Sequence, residues 1–340
     1  MNTNKLHKYM KGTARFFLYH ISSYVEHPII APRSAVFGIT RKCNSRCSYC
    51  PIWKLNSAKL GQPTLHEAKE VLKQIADLGV QKVTISGGEP LLWHDLPDLV
   101  EYGAKTLGLA INVLTNGIML NNDRIEELIE AGIAVIGLSL DSVRPDVYFE
   151  LRGISLTKIE EARRGLERVA QEGRVTVGLT AVVTMKNLQD LLEVAEYAAQ
   201  HRMGLSLQPY NPIEGFTRND LLPTPETLPV LQRAITKVIE TKQQGLPILN
   251  SVHYLNLIPQ FMLNKEYVKK GICIAGYTSV NVDANLNVLP CWNLPPVGNL
   301  RQNSLEEIWY SDSFKEARLR MRRLQCPGCL LLCHHEYQYG

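Results

Sequence analysis

Between Ser34 and Pro209 the chain alternates two kinds of apolar pattern. Short runs rich in β-branched residues, Ser34 to Thr40, Lys82 to Ser86, Ala110 to Thr115, Ala134 to Leu140, Val175 to Val183 and Leu205 to Pro209, have the length and composition of strands. Between them, apolar residues at helical spacing cover Thr64 to Leu78, Leu96 to Thr106, Asp123 to Ala131, Leu156 to Glu172 and Leu188 to His201. Thr64 and Glu67 have the spacing of a capping box at the start of the first. Repeated strand–helix units predict an α/β fold with a parallel sheet and helices outside it. Six such units fit an incomplete barrel, closed by a helix from Leu228 to Gln244 that Gly245-Leu246-Pro247 breaks.

The pattern changes on both sides of this region. Residues 1–33 are basic and amphipathic: Leu6, Met10, Phe17 and Ile21 fall on one helical face, with Lys5, Lys8, Lys11 and Arg15 near them. Two readings stand, a helix packed against the bottom of the main domain and a helix in peripheral contact with a membrane surface. On the C-terminal side an apolar segment, Val252 to Met262, precedes two alternating runs around an Asp/Asn-rich turn, Thr278 to Leu289, which predict a β-hairpin. A helical stretch follows from Ser304 to Leu324.

Composition narrows the class. At 340 residues, with 45% apolar and 21% charged residues, the chain suits a soluble globular protein of one large domain plus an appendage. A net charge of +4 is too mild for a nucleic-acid binder. No apolar run approaches the roughly 18 residues of a transmembrane helix, and Phe16 to Val25 lacks the cleavage site of a signal peptide. Eight cysteines in two clusters fit metal ligation in a reducing cytoplasm better than a disulfide scaffold.

The first cluster, Cys43, Cys47 and Cys50, has Cx3Cx2C spacing directly after the first strand. Three thiolates complete neither a closed zinc site nor a fully protein-ligated four-iron cluster, so one metal position stays open. Ligands of α/β folds bind beyond the carboxyl ends of strands, and polar groups gather there: Gly87, Gly88, Glu89 and Pro90 after the second strand, and Asn116 after the third. Ser139 and Asp141 follow at the fourth, with Arg152 beyond them; Val183 with Asn187 ends the fifth, and Gln208 the sixth. The two glycines let backbone come close to a ligand, and a guanidinium such as Arg152 can grip a carboxylate at two points. The alternative for Arg152 is a surface ion pair with Glu150 or Asp146. An irregular stretch, Asn211 to Glu226, is the first candidate for a substrate lid.

The Cx3Cx2C triplet with Tyr49 before its last cysteine, the Gly87-Gly88-Glu89-Pro90 turn and the Ser139-Leu140-Asp141 strand end resemble the radical S-adenosylmethionine (SAM) superfamily. The resemblance implies a partial (β/α)6 TIM-like barrel whose Cys43, Cys47 and Cys50 hold a 4Fe-4S cluster, with SAM chelating the open iron. Glu89 and its turn would meet the SAM amino group, Arg152 the carboxylate, Ser139 or Asp141 the methionine or ribose, and the Val183 region the adenine. Asn116 and Gln208 would face the same mouth. Reductive cleavage of SAM to a 5'-deoxyadenosyl radical would then remove hydrogen from a substrate.

The second cluster brackets the hairpin with Cys273 and Cys291 and ends in Cys326, Cys329 and Cys333. This layout resembles the SPASM and twitch extensions of the same superfamily, with Leu286 where relatives usually carry glycine. It implies an auxiliary 4Fe-4S cluster, a second cofactor that accepts an electron from the product radical. The ligands expected are Cys273, Cys291, Cys326 and Cys329, with Cys333 replacing one or standing by; a zinc site on four of these thiols, with His334 and His335 nearby, is the competing reading.

The expected protein is a cytoplasmic radical SAM enzyme, an oxidoreductase or transferase, in three parts: residues 1–33, a barrel over 34–245 and an auxiliary-cluster region over 246–340. Its partners would be a flavodoxin- or ferredoxin-type electron donor and a substrate that is a peptide, a sugar-like small molecule, a tetrapyrrole or an isoprenoid lipid. Only some 33 residues precede the first strand, which argues against a separate peptide-binding domain ahead of the barrel. The rival from another class is a non-enzymatic iron-sulfur or zinc protein.

Overall fold

In a computed structural model, which describes residues 3–54, 61–213, 215–270 and 272–331, six parallel strands form where the periodicity predicts. They are β1 (Ser34–Thr40), β2 (Lys82–Gly87), β3 (Ala110–Thr115), β4 (Val135–Ser139), β5 (Thr176–Val183) and β6 (Gly204–Pro209), adjacent in chain order. Burial alternates along β5 and β6. One face carries fully buried side chains such as Leu179, Ala181, Leu205 and Leu207, and the other stays half-buried. Ser86, Leu114 and Ser139, half-buried on β2, β3 and β4, line one interior cavity at the strands' carboxyl ends.

The helices obey their local signals. Thr64 and Glu67 make the predicted capping box on the helix Leu65–Asp77, which buries Ala68, Val71, Leu72 and Ile75. The stretch expected as one helix over 96–106 begins as Leu96–Glu101 and ends as a π-turn, Tyr102–Thr106. Gly103 lies there so near Ile111 that a Cβ would stand 2.8 Å from its Cδ1. The stretch from Ser304 to Leu324 divides into Leu305–Tyr310 and Asp312–Arg322, because the Ser311 hydroxyl accepts from Phe314 N and starts a second helix. A helix at Pro145–Arg152 was not anticipated, although Pro at its first position and left-handed Gly153 after its end are ordinary boundary signals.

The predicted hairpin forms from β7 (Ser279–Val282) and β8 (Asn287–Leu289), with Asn281 opposite Leu289, and β9 (Gly298–Asn299) pairs beyond it. β7 also runs parallel to β1, so the sheet has nine strands in the order β6-β5-β4-β3-β2-β1-β7-β8-β9. At the other edge, Ile248 bridges to Leu205, and the Asn250 amide brackets Leu207 at 2.7 and 2.9 Å. Both edges of the six-strand array are thereby occupied. In the hairpin turn Leu286 has φ +64 and is 3% exposed. The left-handed backbone costs a leucine about 1–2 kcal/mol, and a fully buried leucine returns about as much or more, which is how the turn dispenses with glycine.

The N-terminal helix, Thr3–Tyr24, packs by Tyr19 against Ile274 and Tyr277 and buries Ser22 and Ser23. Phe17 and Ile21 of the expected apolar stripe point away, into solvent. Leu6 and Met10 carry side chains outside the described set. Among the described residues no helix is long and apolar enough to cross a membrane.

Candidate active site and distal cysteine cavity

β1 delivers the chain into a loop that carries Cys43, Cys47 and Cys50 into one cavity of about 190 Å³. Ser86 to Glu89, Thr115, Asn116, Ser139, Tyr49 and Arg152 share its wall. The loop is held on one side by the end of the helix Pro145–Arg152. Helix-terminal carbonyls lack intrahelical partners, and here Leu151 O accepts from Ser48 N (2.8 Å) while Arg152 O accepts from Arg46 N (3.2 Å) and Ser45 Oγ (2.9 Å). Gly153 makes the approach possible, since a Cβ there would stand 2.6 Å from Arg46 O.

On the other side the β2 turn meets the same loop. Gly88 N donates to Thr40 O at 2.6 Å and Glu89 N to Lys42 O at 2.7 Å. A Cβ on Gly87, which has φ +127, would stand 2.3 Å from Thr40 O, and one on Gly88 2.1 Å from Lys42 O. The glycines therefore serve the approach of one protein backbone to another, while both also line the cavity.

Glu89 is 1% exposed, and its carboxylate receives Thr115 Oγ1 (2.6 Å), Asn116 N (2.7 Å) and Leu91 N (3.1 Å). It thus ties β2 to β3 and fixes Asn116, whose side-chain amide donates to Asn44 Oδ1 at 2.7 Å beside Cys43. Burial raises the Glu89 pKa despite those donors. A carboxyl whose pKa is higher folded than unfolded binds its proton more tightly in the fold. Its contribution to stability is full below the ordinary carboxylate range and is lost as the pH rises through the raised value. Glu89→Gln should flatten that part of a plot of urea midpoint against pH; an unchanged slope would contradict this assignment.

Asp141, fully buried, organises the third wall. Tyr49 Oη donates to its Oδ2 at 2.6 Å, Val182 N donates to Oδ1 at 2.8 Å, and Arg152 Nε pairs with Oδ2 at 3.1 Å. Arg152 Nη1 also reaches Tyr49 Oη (2.8 Å) and Cys47 Sγ (3.4 Å). Burial opposes the Arg152 charge, and Asp141, Tyr49, Cys47 and Tyr148 together more than offset that, so its pKa lies well above the ordinary value. Burial likewise pushes the Tyr49 hydroxyl up, which keeps its proton in place for Asp141. The alternative reading of Arg152 as a surface ion pair does not hold, since Glu150 pairs with Lys186 and Arg152 with Asp141. Val183 and Gln208 lie outside the cavity wall: the Val183 side chain is in the core, and its carbonyl accepts from Tyr210 N. Asn187 closes the β5 end by donating to Asp141 O and Val182 O.

Sequence reasoning missed Trp53, whose indole donates to Cys47 O at 3.0 Å, and Ser45, whose hydroxyl lies 3.3 Å from Cys47 Sγ. A polar residue inside a cysteine loop was the available signal for Ser45; Trp53 had none. Burial pushes the Cys43 thiol up to about 11 and raises Cys50 as well.

Cys273, Cys291, Cys326 and Cys329 surround a second, smaller void of about 30 Å³ with Val268, Leu294, Met321 and Leu324. Burial raises the Cys291 thiol and pushes Cys329 up to about 12. Cys333, His334 and His335 lie outside the described residues. None of the seven described cysteines is in a disulfide. Among the described residues no three His, Cys, Asp or Glu side chains converge to hold a single metal ion. The four distal thiols line this void together, so they are placed to share one sulfur-ligated centre. The proximal thiols have the same chemistry, three sulfur donors facing a cavity with polar walls.

Residues 37–198 match the Radical SAM superfamily, and residues 273–331 match SPASM, an iron-sulfur cluster-binding domain. The chain is 30% identical over 311 residues to the PqqA peptide cyclase of Rhizobium meliloti, covering 85% of this chain and 77% of that protein. It is 26% identical over 296 residues to the AdoMet-dependent heme synthase of Methanosarcina barkeri, with 82% of each covered. Streptococcus suis SuiB bound to S-adenosylmethionine superposes with a TM-score of 0.67 at 20% identity, over 84% of this chain and 67% of that one, a likeness of fold. This chain belongs to the radical SAM superfamily, as an enzyme with a SPASM-type extension. Membership brings a SAM-binding 4Fe-4S cluster and auxiliary iron-sulfur binding as its cofactors.

Proposed function

We propose that the cavity at the carboxyl ends of β1 to β4 binds SAM and that Cys43, Cys47 and Cys50 ligate its cluster. The observation that carries this reading is the meeting of three thiols from one loop with the Gly87–Glu89 turn, Asn116, Ser139 and Arg152 around a single space. Cluster and SAM, when bound, supply one-electron cleavage to a 5'-deoxyadenosyl radical, with an electron from a flavodoxin- or ferredoxin-type donor. The chain's own residues hold and orient. Glu89 and Asp141 fix the loop walls, and Arg152 places positive charge beside Cys47.

The functional units follow the same division, a catalytic barrel over residues 34–245 and an auxiliary-cluster region over 246–340. They are coupled by β7 on β1 and by the Arg41–Asp283 ion pair of 2.7 Å. Four distal thiols around one void support a fully ligated cluster on Cys273, Cys291, Cys326 and Cys329, which would serve as electron acceptor rather than as a substrate ligand. The reaction is then a net oxidation at a carbon–hydrogen bond. The peptide cyclase relative supports a peptide side chain as substrate. The haem synthase relative, matched over a similar span, supports a tetrapyrrole as the second candidate.

Cys291→Ala tests the division of labour. The variant should fall from about eight to about four irons per chain, still release 5'-deoxyadenosine from SAM under reductant, and lose product formation with any substrate the parent oxidises. Unaltered iron content, or unaltered product formation, would refute the assignment.

A further inference from the structure

The N-terminal helix carries an apolar ridge that none of the described residues covers. Phe17 is 60% exposed, Ile21 48% and Tyr24 78%, at positions i, i+4 and i+7 of one helix face. Val25 (51%) and Ile29 (47%) extend the ridge past the helix end. The opposite face, with Tyr19, Ser22 and Ser23, is the one packed against the protein. Exposed apolar groups at this density mark an interaction surface.

Charge decides what fits. Residues 1–33 hold five cations, Lys5, Lys8, Lys11, Arg15 and Arg33, against Glu26 alone. That excess equals the formal net charge of the entire chain, +4, so the remaining residues are neutral in sum. The one acid is itself flanked: Lys315 and Arg322 each lie 3.9 Å from Glu26, and the Arg322 guanidinium stands 5.9 Å from the Tyr24 ring. A second copy of this chain would set the same positive segment against itself, which like-charge repulsion opposes.

We propose that this helix docks the enzyme on a bilayer containing anionic lipid, with the ridge Phe17, Ile21, Tyr24, Val25 and Ile29 entering the interface and the excess positive charge of residues 1–33 favouring anionic headgroups. The docking is independent of the catalytic reading, since no residue of either cysteine cavity takes part.

Sedimentation of the reconstituted chain with vesicles tests it. Binding to phosphatidylcholine vesicles that also contain phosphatidylglycerol should exceed binding to phosphatidylcholine alone by on the order of a hundredfold and weaken with added salt. The combined variant Phe17→Ser, Ile21→Ser and Tyr24→Ser changes only exposed residues, so its thermal midpoint and iron content should match the parent, and its vesicle affinity should drop about a hundredfold. Lys5→Gln with Lys8→Gln and Lys11→Gln should erase the preference for anionic vesicles. Equal binding to both vesicle types, no binding to either, or full binding by the triple serine variant would each overturn the proposal. So would parent self-association that the serine variant abolishes, because the ridge would then be a protein interface.

Discussion

An Asp141→Ala protein should be less stable than the parent by about 3–5 kcal/mol, the usual consequence of stranding the partner of a buried ion pair. Asp141 is fully buried and satisfies three groups at once, the Tyr49 hydroxyl, the Val182 amide and the Arg152 guanidinium. Its removal leaves a buried positive charge with the Tyr49 and Tyr148 oxygens and the Cys47 sulfur near it, and no carboxylate in an ion pair with it among the described residues. The cysteine loop rests on this arrangement through Tyr49 and through the Leu151 and Arg152 carbonyls. SAM cleavage should therefore fall with stability, and the loss should persist at temperatures where the variant is still folded. Urea titration and 5'-deoxyadenosine release, measured on the same preparation, check both. A variant as stable as the parent would mean that the pair is dispensable.

Gly88→Ala should act through geometry. A Cβ would stand 2.1 Å from Lys42 O, and the contact is backbone against backbone, so no side chain can swing away. Real contacts of this kind stay beyond 3.0 Å, so the loop bearing Cys43 must shift by roughly 1 Å. Misplacement of that size costs on the order of a hundredfold in rate. SAM cleavage should drop accordingly, while the four distal thiols, which are remote from the clash, keep their iron. Gly173→Ala is the control for a glycine with open space around it: Gly173 has φ +68 but nothing within 4 Å of its would-be Cβ, so a modest loss of stability with unchanged cleavage is expected. Equal loss of cleavage in both variants would contradict the assignment of the effect to the Lys42 contact.

The six strands of the barrel were readable because each is a short buried run of fixed period, and the Thr64 cap because its two partners are three residues apart. The same local signals could not reveal that β7 extends the sheet beside β1, since strand partners are chosen by tertiary contact. At the site, sequence pattern placed the three cysteines, Glu89, Asn116, Ser139 and Arg152 around one space. It did not show what they do within the protein. Arg152 also pairs with Asp141, and the paired glycines also accommodate Thr40 and Lys42 backbone. One joins the end of β4 to the end of the helix Pro145–Arg152 and the other the β2 turn to the loop after β1, and spacing along one chain carries no information about either. The Phe17/Ile21 stripe gives a third case: its period announced a helix face, while burial of Tyr19, Ser22 and Ser23 decided which face packs.

The most direct measurement is 5'-deoxyadenosine formed from SAM by anaerobically reconstituted protein under strong reductant, compared between the parent and Cys47→Ala. Release by the parent and its loss in Cys47→Ala, with distal iron retained, is the predicted result. Release that survives in Cys47→Ala, or a parent that holds zinc and leaves SAM intact, would contradict the assignment of Cys43, Cys47 and Cys50 as the place where the radical is made.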